Sequence, residues 1–241
     1  MSRHEEELAR LARKGRAGTP PVAAATVVVL RDGEDGIETL MLRRNSKIAF
    51  GGMWVFPGGR VDDADAAGLA RDDELAIARV AAVREAHEEA GLQIDAGSLV
   101  PLSHWTPPPI TPRRFLTWFF LASAPSGEIT IDRGEIREHR WLSPRRALEE
   151  RDAGTIELAP PTFVTLHGLA RASRVEEAIA RARAVPPERF ETHIAVGPGG
   201  PTALWHGDAG WESTDAERPG PRHRLAMGKG GWRYERSDPT G

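Results

Sequence analysis

The sequence contains no cysteine. Disulfide bridges, thiolate metal sites and a cysteine nucleophile are therefore excluded. Any bound metal must use oxygen or nitrogen ligands, and carboxylate oxygens favour hard cations such as Mg²⁺. The eight histidines show no spacing typical of a zinc site, so none of them is interpreted as a ligand.

Long apolar runs are also absent. No stretch approaches the roughly 18 to 20 apolar residues that cross a bilayer. The amino end, MSRHEEELARLARKGRAGTP, lacks the apolar segment of a secretory signal. We therefore expect a cytoplasmic protein with no membrane partner.

A large excess of charge of either sign is also absent. The net charge is −3, and the basic residues are dispersed instead of clustered along one stripe. This pattern argues against a nucleic-acid partner, because such binding needs a basic surface. With 40% hydrophobic and 28% charged residues, the 241-residue chain has the composition of a folded globular protein. Its length suits one substantial core with an appendage.

The order of apolar segments and turn residues predicts three regions. Residues 1–20 form a flexible arm, for which a short helix over Glu5–Ala12 is an alternative. Residues 21–184 form the main domain, beginning with a β-hairpin around RDGEDG and containing one long helix closed by Gly91. Residues 185–241 are rich in Gly, Pro and Trp and are predicted to form a β appendage, with a disordered tail as the alternative.

The segment REAHEEAGL, residues 84–92, carries three glutamates at the end of that helix, namely Glu85, Glu88 and Glu89. Carboxylates are unfavourable there by about 0.3 to 1 kcal/mol each, because the carboxyl end of a helix dipole is negative. They also repel one another at three- and four-residue spacing, and Arg84 offsets only part of the repulsion. A divalent cation would offset it directly. The alternative is a solvated acidic helix face.

Helical periodicity predicts a buried face on the same helix, made of Ala76, Val80, Val83, His87 and Ala90. The three glutamates are predicted to project from the opposite side, above the small residues Ala78, Ala81 and Ala82. Asp72 or Asp73 is the expected N-cap, with Glu74 in the first turn.

Together with FPGGR at residues 56–60, these residues resemble the NUDIX family, whose signature ends in Arg-Glu-apolar-x-Glu-Glu-x-Gly-apolar. That half is complete from Arg84 to Leu92. The first half departs from the signature, because Gly59 lies 25 residues before Arg84 where the family has 14, and Ala76 stands where the family has Glu. The stretched box and HWTPP...PRRF resemble the branch of peroxisomal coenzyme A diphosphatases, although that branch has Arg where Ile48 stands.

The resemblance implies an α/β fold, an α/β/α sandwich with a mixed sheet, and metal-dependent attack of water on a nucleoside diphosphate conjugate. It implies that Glu85, Glu88 and Glu89 bind Mg²⁺ or Mn²⁺, and that one of them accepts a proton from the water. It also implies that Arg84 orients a carboxylate, and that Gly58 or Gly59 presents backbone groups to the metal or phosphate. Glu74 is a candidate replacement for the missing glutamate.

Several other residues have both a functional and a structural interpretation. Arg43 and Arg44, with Arg113 and Arg114, have the planar guanidinium groups that clamp phosphates, but a solvated sheet edge explains them equally well. Glu135 and Glu138 could supply a further ligand or base, although surface ion pairs are the more common role. Trp105 and Trp118 could stack on a base, although tryptophan more often packs in a core.

The leading hypothesis is therefore a metal-dependent diphosphatase acting on a nucleotide conjugate, with coenzyme A or an acyl-coenzyme A as the first candidate. Other candidate substrates are ADP-ribose, NADH and dinucleoside polyphosphates. Two further alternatives are a NUDIX-like module that senses a nucleotide without cleaving it, and phosphate-free chemistry such as isomerisation. The sequence leaves a homodimer open.

Overall fold

A computed structural model describes residues 6, 9–11, 19–45, 51–112, 114–132, 134–228 and 230–237. The chain divides into two compact units. The larger unit comprises Ala23–His104 and Thr117–Glu188, and the smaller unit comprises Met1–Val22, Trp105–Leu116 and Arg189–Gly241. Most of the predicted arm and Ile48 lie outside the described residues. The described part of the chain contains no helix long and apolar enough to span a membrane.

The strands and helices occur in mixed order along the chain. The strands are β1 (Val22–Gly33), β2 (Gly36–Arg44), β3 (Trp54–Val55), β4 (Gly58–Arg60), β5 (Val100–Thr106), β6 (Phe115–Ser123), β7 (Ile136–Leu142), β8 (Glu188–Glu191), β9 (His193–Gly197), β10 (Gly200–Leu204), β11 (His223–Gly228) and β12 (Gly231–Arg236). The α-helices are α1 (Glu74–Ala90), α2 (Pro144–Asp152), α3 (Pro160–Leu169) and α4 (Val175–Arg183). Short 3₁₀ helices span Asp63–Ala66 and Ala96–Ser98.

The sheet of the larger unit has the order β3-β2-β1-β6-β5, with β4 paired to β1 and β7 paired to β2. The predicted hairpin is confirmed, since β1 and β2 pair antiparallel up to Gly33 and Gly36, leaving a two-residue turn. Strands β1 and β6 run parallel, because Ala124 N, just after β6, donates to Leu30 O near the end of β1. The predicted α/β fold with a mixed sheet is therefore confirmed.

Helix α1 packs on this sheet through a stripe of alanines. The core that they join contains buried residues of β1, β2 and β6, namely Ala25, Val27, Val29, Leu40, Leu42, Phe120 and Ala122. The buried helix positions are Ala78, Ala81, Ala82, Ala86, Glu89 and Ala90. The predicted buried face was wrong at Val80, which is 38% exposed, and at His87, which is exposed, whereas Ala90 is buried as predicted and Val83 packs against the core. The alanine face is buried because small side chains let the helix pack closely on the strands. Hydrophobic periodicity alone does not predict this packing distance.

The helix ends follow their sequence signals in most cases. The Asp73 side chain caps α1 by accepting from Ala76 N, and Gly91 closes that helix in the left-handed conformation at φ 68°. Ser143 caps α2, with Pro144 in the first turn. Just before α4, the backbone N and the side-chain Oγ of Ser173 both donate to Glu177 Oε2.

The smaller unit contains an antiparallel sheet of order β12-β11-β10-β9, so the predicted C-terminal β appendage is confirmed. Its aromatic core includes Trp105 stacked on Phe190, with ring centroids 3.8 Å apart, and Trp205 edge-on to both rings. Asp208 and Arg224 form a buried ion pair in this unit, with Oδ1 2.6 Å from Nη2.

Candidate metal and substrate site

The larger unit brings the end of α1 against the glycines of β4. Backbone pairing fixes β4 beside β1, with Ala25 opposite Gly59 and Thr26 opposite Gly58. A Cβ at Gly58 would lie 2.5 Å from Ala25 O, and a Cβ at Gly59 would overlap the carboxylate of Glu85. Gly58 therefore requires glycine, because a side chain there would clash with the backbone of β1, whereas a side chain at Gly59 would force the carboxylate of Glu85 to move.

Glu89 is the buried glutamate of this site, with a side chain that is 5% exposed. Its carboxylate Oε2 accepts a hydrogen bond from Gly58 N at 2.9 Å, whereas Oε1 is buried without a hydrogen-bond partner. Burial raises the pKa of Glu89 to about 8; the Gly58 amide and Arg44 oppose that shift, whereas Glu85 and Glu135 add to it. The carboxylate is thus held where its negative charge is poorly compensated.

Glu85 lies one helical turn before Glu89 on the same stripe. Its side chain is 15% exposed. Burial raises the pKa of Glu85, Arg84 opposes the shift, and Glu88 and Glu135 strengthen it. Two buried carboxylates whose negative charge is only partly neutralised therefore lie together beside β4. Such an arrangement favours a bound cation.

Arg84 is the hub of the polar contacts in this site. Its Nη1 donates to Glu85 Oε1 at 2.9 Å and to Glu88 Oε2 at 3.0 Å. Its Nε and Nη2 donate to the two oxygens of Asp65, at 2.9 and 3.0 Å, and Nη2 also donates to Arg60 O. These contacts use all five N–H groups of the guanidinium.

Asp65 is the site residue that the sequence did not single out. It lies in the 3₁₀ helix Asp63–Ala66 and is 3% exposed. Burial acts to raise the pKa of Asp65, but the hydrogen bonds from Arg84 and from Asp62 N produce a net lowering. Glu74, the predicted replacement for the missing family glutamate, is an exposed residue of the first turn of α1. A pairing partner was to be expected for a semi-buried Arg84, and counting the family signature forward from Gly59, a Gly followed by five residues and an acid, would have pointed to Asp65.

Glu88 differs from the other two glutamates because its side chain is 56% exposed. In the described part of the chain, no group of three or more Asp, Glu or His side chains is arranged to hold a metal ion. The sequence placed all three glutamates on one face, whereas the structure separates a buried pair, Glu85 and Glu89, from an exposed Glu88.

The buried pair nevertheless has the donor chemistry that a hard divalent cation requires. Glu89 Oε1 is buried and accepts no hydrogen bond. Arg84 uses one oxygen each of Glu85 and Glu88, so the second oxygen of each carboxylate takes no part in those two bonds. All these candidate ligand atoms are carboxylate oxygens, which Mg²⁺ and Mn²⁺ prefer.

Arg44 borders the same carboxylates. Its Nη1 lies 3.6 Å from Glu89 Oε1, and its Nη2 donates to Glu135 Oε2 at 2.7 Å. Glu135 is therefore near the site, although it is engaged by an arginine. Arg43 points elsewhere, since it pairs with Glu138 on the surface at 3.5 Å and both side chains are about half exposed. A β-bulge between Arg43 and Arg44 separates their environments.

The remaining candidates lie outside this cluster. Arg114 belongs to the smaller unit, where its Nη2 donates to Pro107 O at 3.3 Å, and Arg113 lies outside the described residues. Trp105 is 3% exposed within the aromatic core of the smaller unit. Trp118 packs against His104 in the larger unit, with ring centroids 4.7 Å apart. Both tryptophans have the packing role that was the more common expectation.

Comparison with known proteins identifies the family. The NUDIX domain model matches residues 20–160. A NUDIX hydrolase from Alicyclobacillus acidocaldarius is similar at 27% identity and a TM-score of 0.62, covering 67% of this chain and 96% of that chain. A MutT NUDIX hydrolase from Burkholderia pseudomallei has 20% identity and a TM-score of 0.46, covering 62% of this chain and 98% of that chain. No curated protein matches the chain.

The domain match covers more than half of the sequence, and it includes the glycines of β4 and the acidic end of α1. NUDIX hydrolases generally use divalent metal ions such as Mg²⁺ or Mn²⁺. The chain belongs to the NUDIX family and is a NUDIX hydrolase.

Proposed function

We propose that the protein hydrolyses the diphosphate linkage of a nucleoside diphosphate conjugate, using Mg²⁺ or Mn²⁺ held by Glu85, Glu88 and Glu89. The observation that carries the proposal is the buried carboxylate of Glu89, whose Oε1 accepts no hydrogen bond and whose pKa is raised to about 8. A divalent cation beside it would keep the group ionised. When bound, such a metal stabilises charge on phosphoryl oxygens and lowers the pKa of an attacking water.

The protein groups around that position have complementary roles. Glu85 and Glu89 supply buried carboxylate oxygens, and Glu88 supplies one from the solvent side. One of the three accepts the proton released by the attacking water. Arg84 orients Glu85 and Glu88, and the Gly58–Gly59 backbone lets a phosphate approach without meeting a side chain.

Arginines provide candidate contacts for the diphosphate. Arg44 is the best placed of them, because it lies against Glu89 and Gly58 O and its other arm reaches the exposed Glu135. An anionic substrate would compete with Glu135 for that guanidinium, since a planar fork binds carboxylate and phosphate alike. Arg43 and Arg114 stay predictions for substrate binding, since Arg43 pairs with Glu138 and Arg114 donates to Pro107 O.

Coenzyme A or an acyl-coenzyme A is the first substrate to test. The support is the stretched box that follows FPGGR and the downstream HWTPP...PRRF, both of which resemble that branch of the family. ADP-ribose, NADH and dinucleoside polyphosphates form the comparison panel. A sensing module without turnover has less support, because all three acidic residues are retained.

The test is an assay of this panel with Mg²⁺ and with Mn²⁺, with products identified by mass. The change of Glu88 or Glu89 to Gln should reduce turnover by far more than twofold, because each change removes a charged metal ligand. The matched control is Glu149→Gln, which alters an exposed glutamate of α2. Turnover of both ligand variants within about twofold of the wild type would refute the metal site.

A further inference from the structure

We infer that the guanidinium of Arg44 competes with the metal for Glu89, and that Glu135 holds the guanidinium back. The inference rests on the proposed function, because it concerns the same metal site. It goes beyond that function by giving Arg44 two opposite effects. Arg44 weakens the binding of the metal and strengthens the binding of the anionic substrate.

The first step concerns the position of Arg44 in the metal-free protein. Its Nη1 lies 3.6 Å from Glu89 Oε1, which is the buried oxygen that accepts no hydrogen bond. The side chains of Arg44 and Glu89 are 16% and 5% exposed, so solvent and salt screen this contact little. The positive charge of Arg44 therefore partly neutralises the carboxylate that a metal would bind.

The second step is that Glu135 keeps Arg44 from closing on Glu89. Arg44 Nη2 donates to Glu135 Oε2 at 2.7 Å, which is much shorter than the 3.6 Å between Arg44 Nη1 and Glu89 Oε1. At the longer distance the guanidinium attracts Glu89 but forms no hydrogen bond with it. The short bond to Glu135 thus holds the guanidinium where Glu89 Oε1 remains accessible to a cation.

The main chain of Glu135 is anchored for this role. Its N donates to Asp132 Oδ2 at 2.9 Å, and Ile136 N donates to Asp132 Oδ1 at 2.9 Å. Its O accepts from Asn45 N at 2.7 Å, which ties Glu135 to the residue after Arg44. The side chain of Glu135 is 58% exposed, so an anionic ligand can reach and replace its bond to Arg44.

The third step is the charge balance of the site. The guanidinium of Arg44 repels any divalent cation held by Glu85, Glu88 and Glu89, because like charges lie on neighbouring groups. A diphosphate bound by Arg44 would neutralise that guanidinium and thereby raise the affinity of the site for the metal. By linkage, the metal would raise the affinity for the diphosphate by the same factor.

The experiment measures Mn²⁺ binding to the full chain by calorimetry, without substrate. Arg44→Met should tighten Mn²⁺ binding about 10-fold, which is the Coulomb effect of one unit charge on a nearby divalent cation at water-like screening. Arg43→Met is the matched control, because it removes the same charge from the neighbouring side chain, which is 49% exposed and pairs with Glu138. It should change Mn²⁺ affinity by less than about twofold, since solvent screens it.

Two further measurements separate the charge of Arg44 from its shape. Arg44→Lys keeps the positive charge and should not bind Mn²⁺ more tightly than the wild type. In the Mg²⁺-dependent reaction, Arg44→Met should raise KM, because it removes the planar fork that binds a diphosphate. Tighter metal binding together with weaker substrate binding distinguishes a competing cation from a misfolded protein, which would lose both.

Glu135→Gln tests the holding role through a side chain whose exposure makes its loss tolerable for folding. An amide holds a guanidinium less firmly than a carboxylate, so Arg44 should close on Glu89 and Mn²⁺ affinity should fall about 3- to 10-fold. In the Arg44→Met background the same change should have little further effect, because no guanidinium is left to hold. An undiminished effect in that background would show that Glu135 acts directly on the metal, and would overturn its holding role.

The remaining outcomes decide the role of Arg44. Unchanged or weaker Mn²⁺ binding in Arg44→Met would overturn that role while leaving the proposed function intact, because the wild type would still bind the metal. Equal tightening in Arg43→Met or in Arg44→Lys would overturn it too, since neither variant removes the charge beside Glu89. Failure of both the wild type and Arg44→Met to bind Mn²⁺ would instead refute the proposed function, and this inference with it.

Discussion

The change of Glu89 to Gln should remove a large pH dependence from the stability of the metal-free protein. The pKa of Glu89 is about 8 in the folded chain, whereas the pKa of an exposed glutamate is about 4.5. Between these pH values the folded protein keeps a proton that the unfolded chain has released. The free energy of unfolding therefore falls as the pH rises from about 4.5 to about 8, and it levels off above that range.

The size of the effect follows from the same shift. The pKa of Glu89 differs by about 3.5 between the folded chain, at about 8, and an exposed glutamate, at 4.5. At about 1.4 kcal/mol for each pH unit, the free energy of unfolding changes by at most about 5 kcal/mol. Glutamine cannot ionise, and its side-chain oxygen can still accept the hydrogen bond from Gly58 N. The variant should consequently be more stable than the wild type at high pH, with the advantage shrinking towards about pH 5.

The assay is urea-induced unfolding in the presence of a chelator, measured for both proteins at about pH 5 and about pH 9. The informative quantity is the difference in unfolding free energy between variant and wild type, because other titrating groups cancel in it. A difference that stays constant within about 1 kcal/mol across this range would refute the reasoning. Added Mg²⁺ should restore stability at high pH in the wild type more than in the variant.

Two other predictions concern the glycine of β4 and the ion pair of the smaller unit. Gly59→Ala should weaken Mn²⁺ binding at least about 10-fold, because its Cβ would displace the carboxylate of Glu85, whereas the control Gly168→Ala in α3 meets no atom within 4 Å and should bind normally. Equal affinities measured by calorimetry would contradict this. Asp208→Ala should cost about 3 to 5 kcal/mol in chemical denaturation, because it leaves Arg224 buried without its counter-charge. A loss below about 1 kcal/mol would show that the pair contributes little.

Several strands and helices of the larger unit could be predicted from short sequence patterns. The turn residues of RDGEDG predicted the β1–β2 hairpin, and Gly91 predicted the end of α1. These features depend on backbone preferences within a few residues. The order of charges in REAHEEAGL also predicted the helix on which the candidate site lies.

The details of the site depended on contacts that are distant in sequence. Periodicity could not decide between the valine face and the alanine face of α1, since that choice is made by how closely the helix packs on β1 and β2. The same uncertainty placed Glu88 with Glu89, although only Glu89 is buried. Asp65 was missed because a carboxylate in an acidic loop carries no periodic signal, and its partner Arg84 lies 19 residues away.

Short sequence patterns also could not predict the division into two units. The segment Trp105–Leu116 groups with the C-terminal strands, and Thr192 N donates to Thr106 O over a long sequence separation. No sequence pattern near the prolines of that segment predicts its pairing with the C-terminal residues. The expected boundaries at residues 21 and 184 stay predictions.

The alanine stripe of α1 has a consequence for engineering this protein. Glu85 and Glu89 continue the same row of side chains that seats the helix on the strands at Ala78, Ala82 and Ala86. A bulkier residue in that row would lift the helix and carry both acids away from Gly58 and Gly59. Because these alanines are almost fully buried, larger side chains there should lower stability as well as activity, and stabilising substitutions belong on other helices.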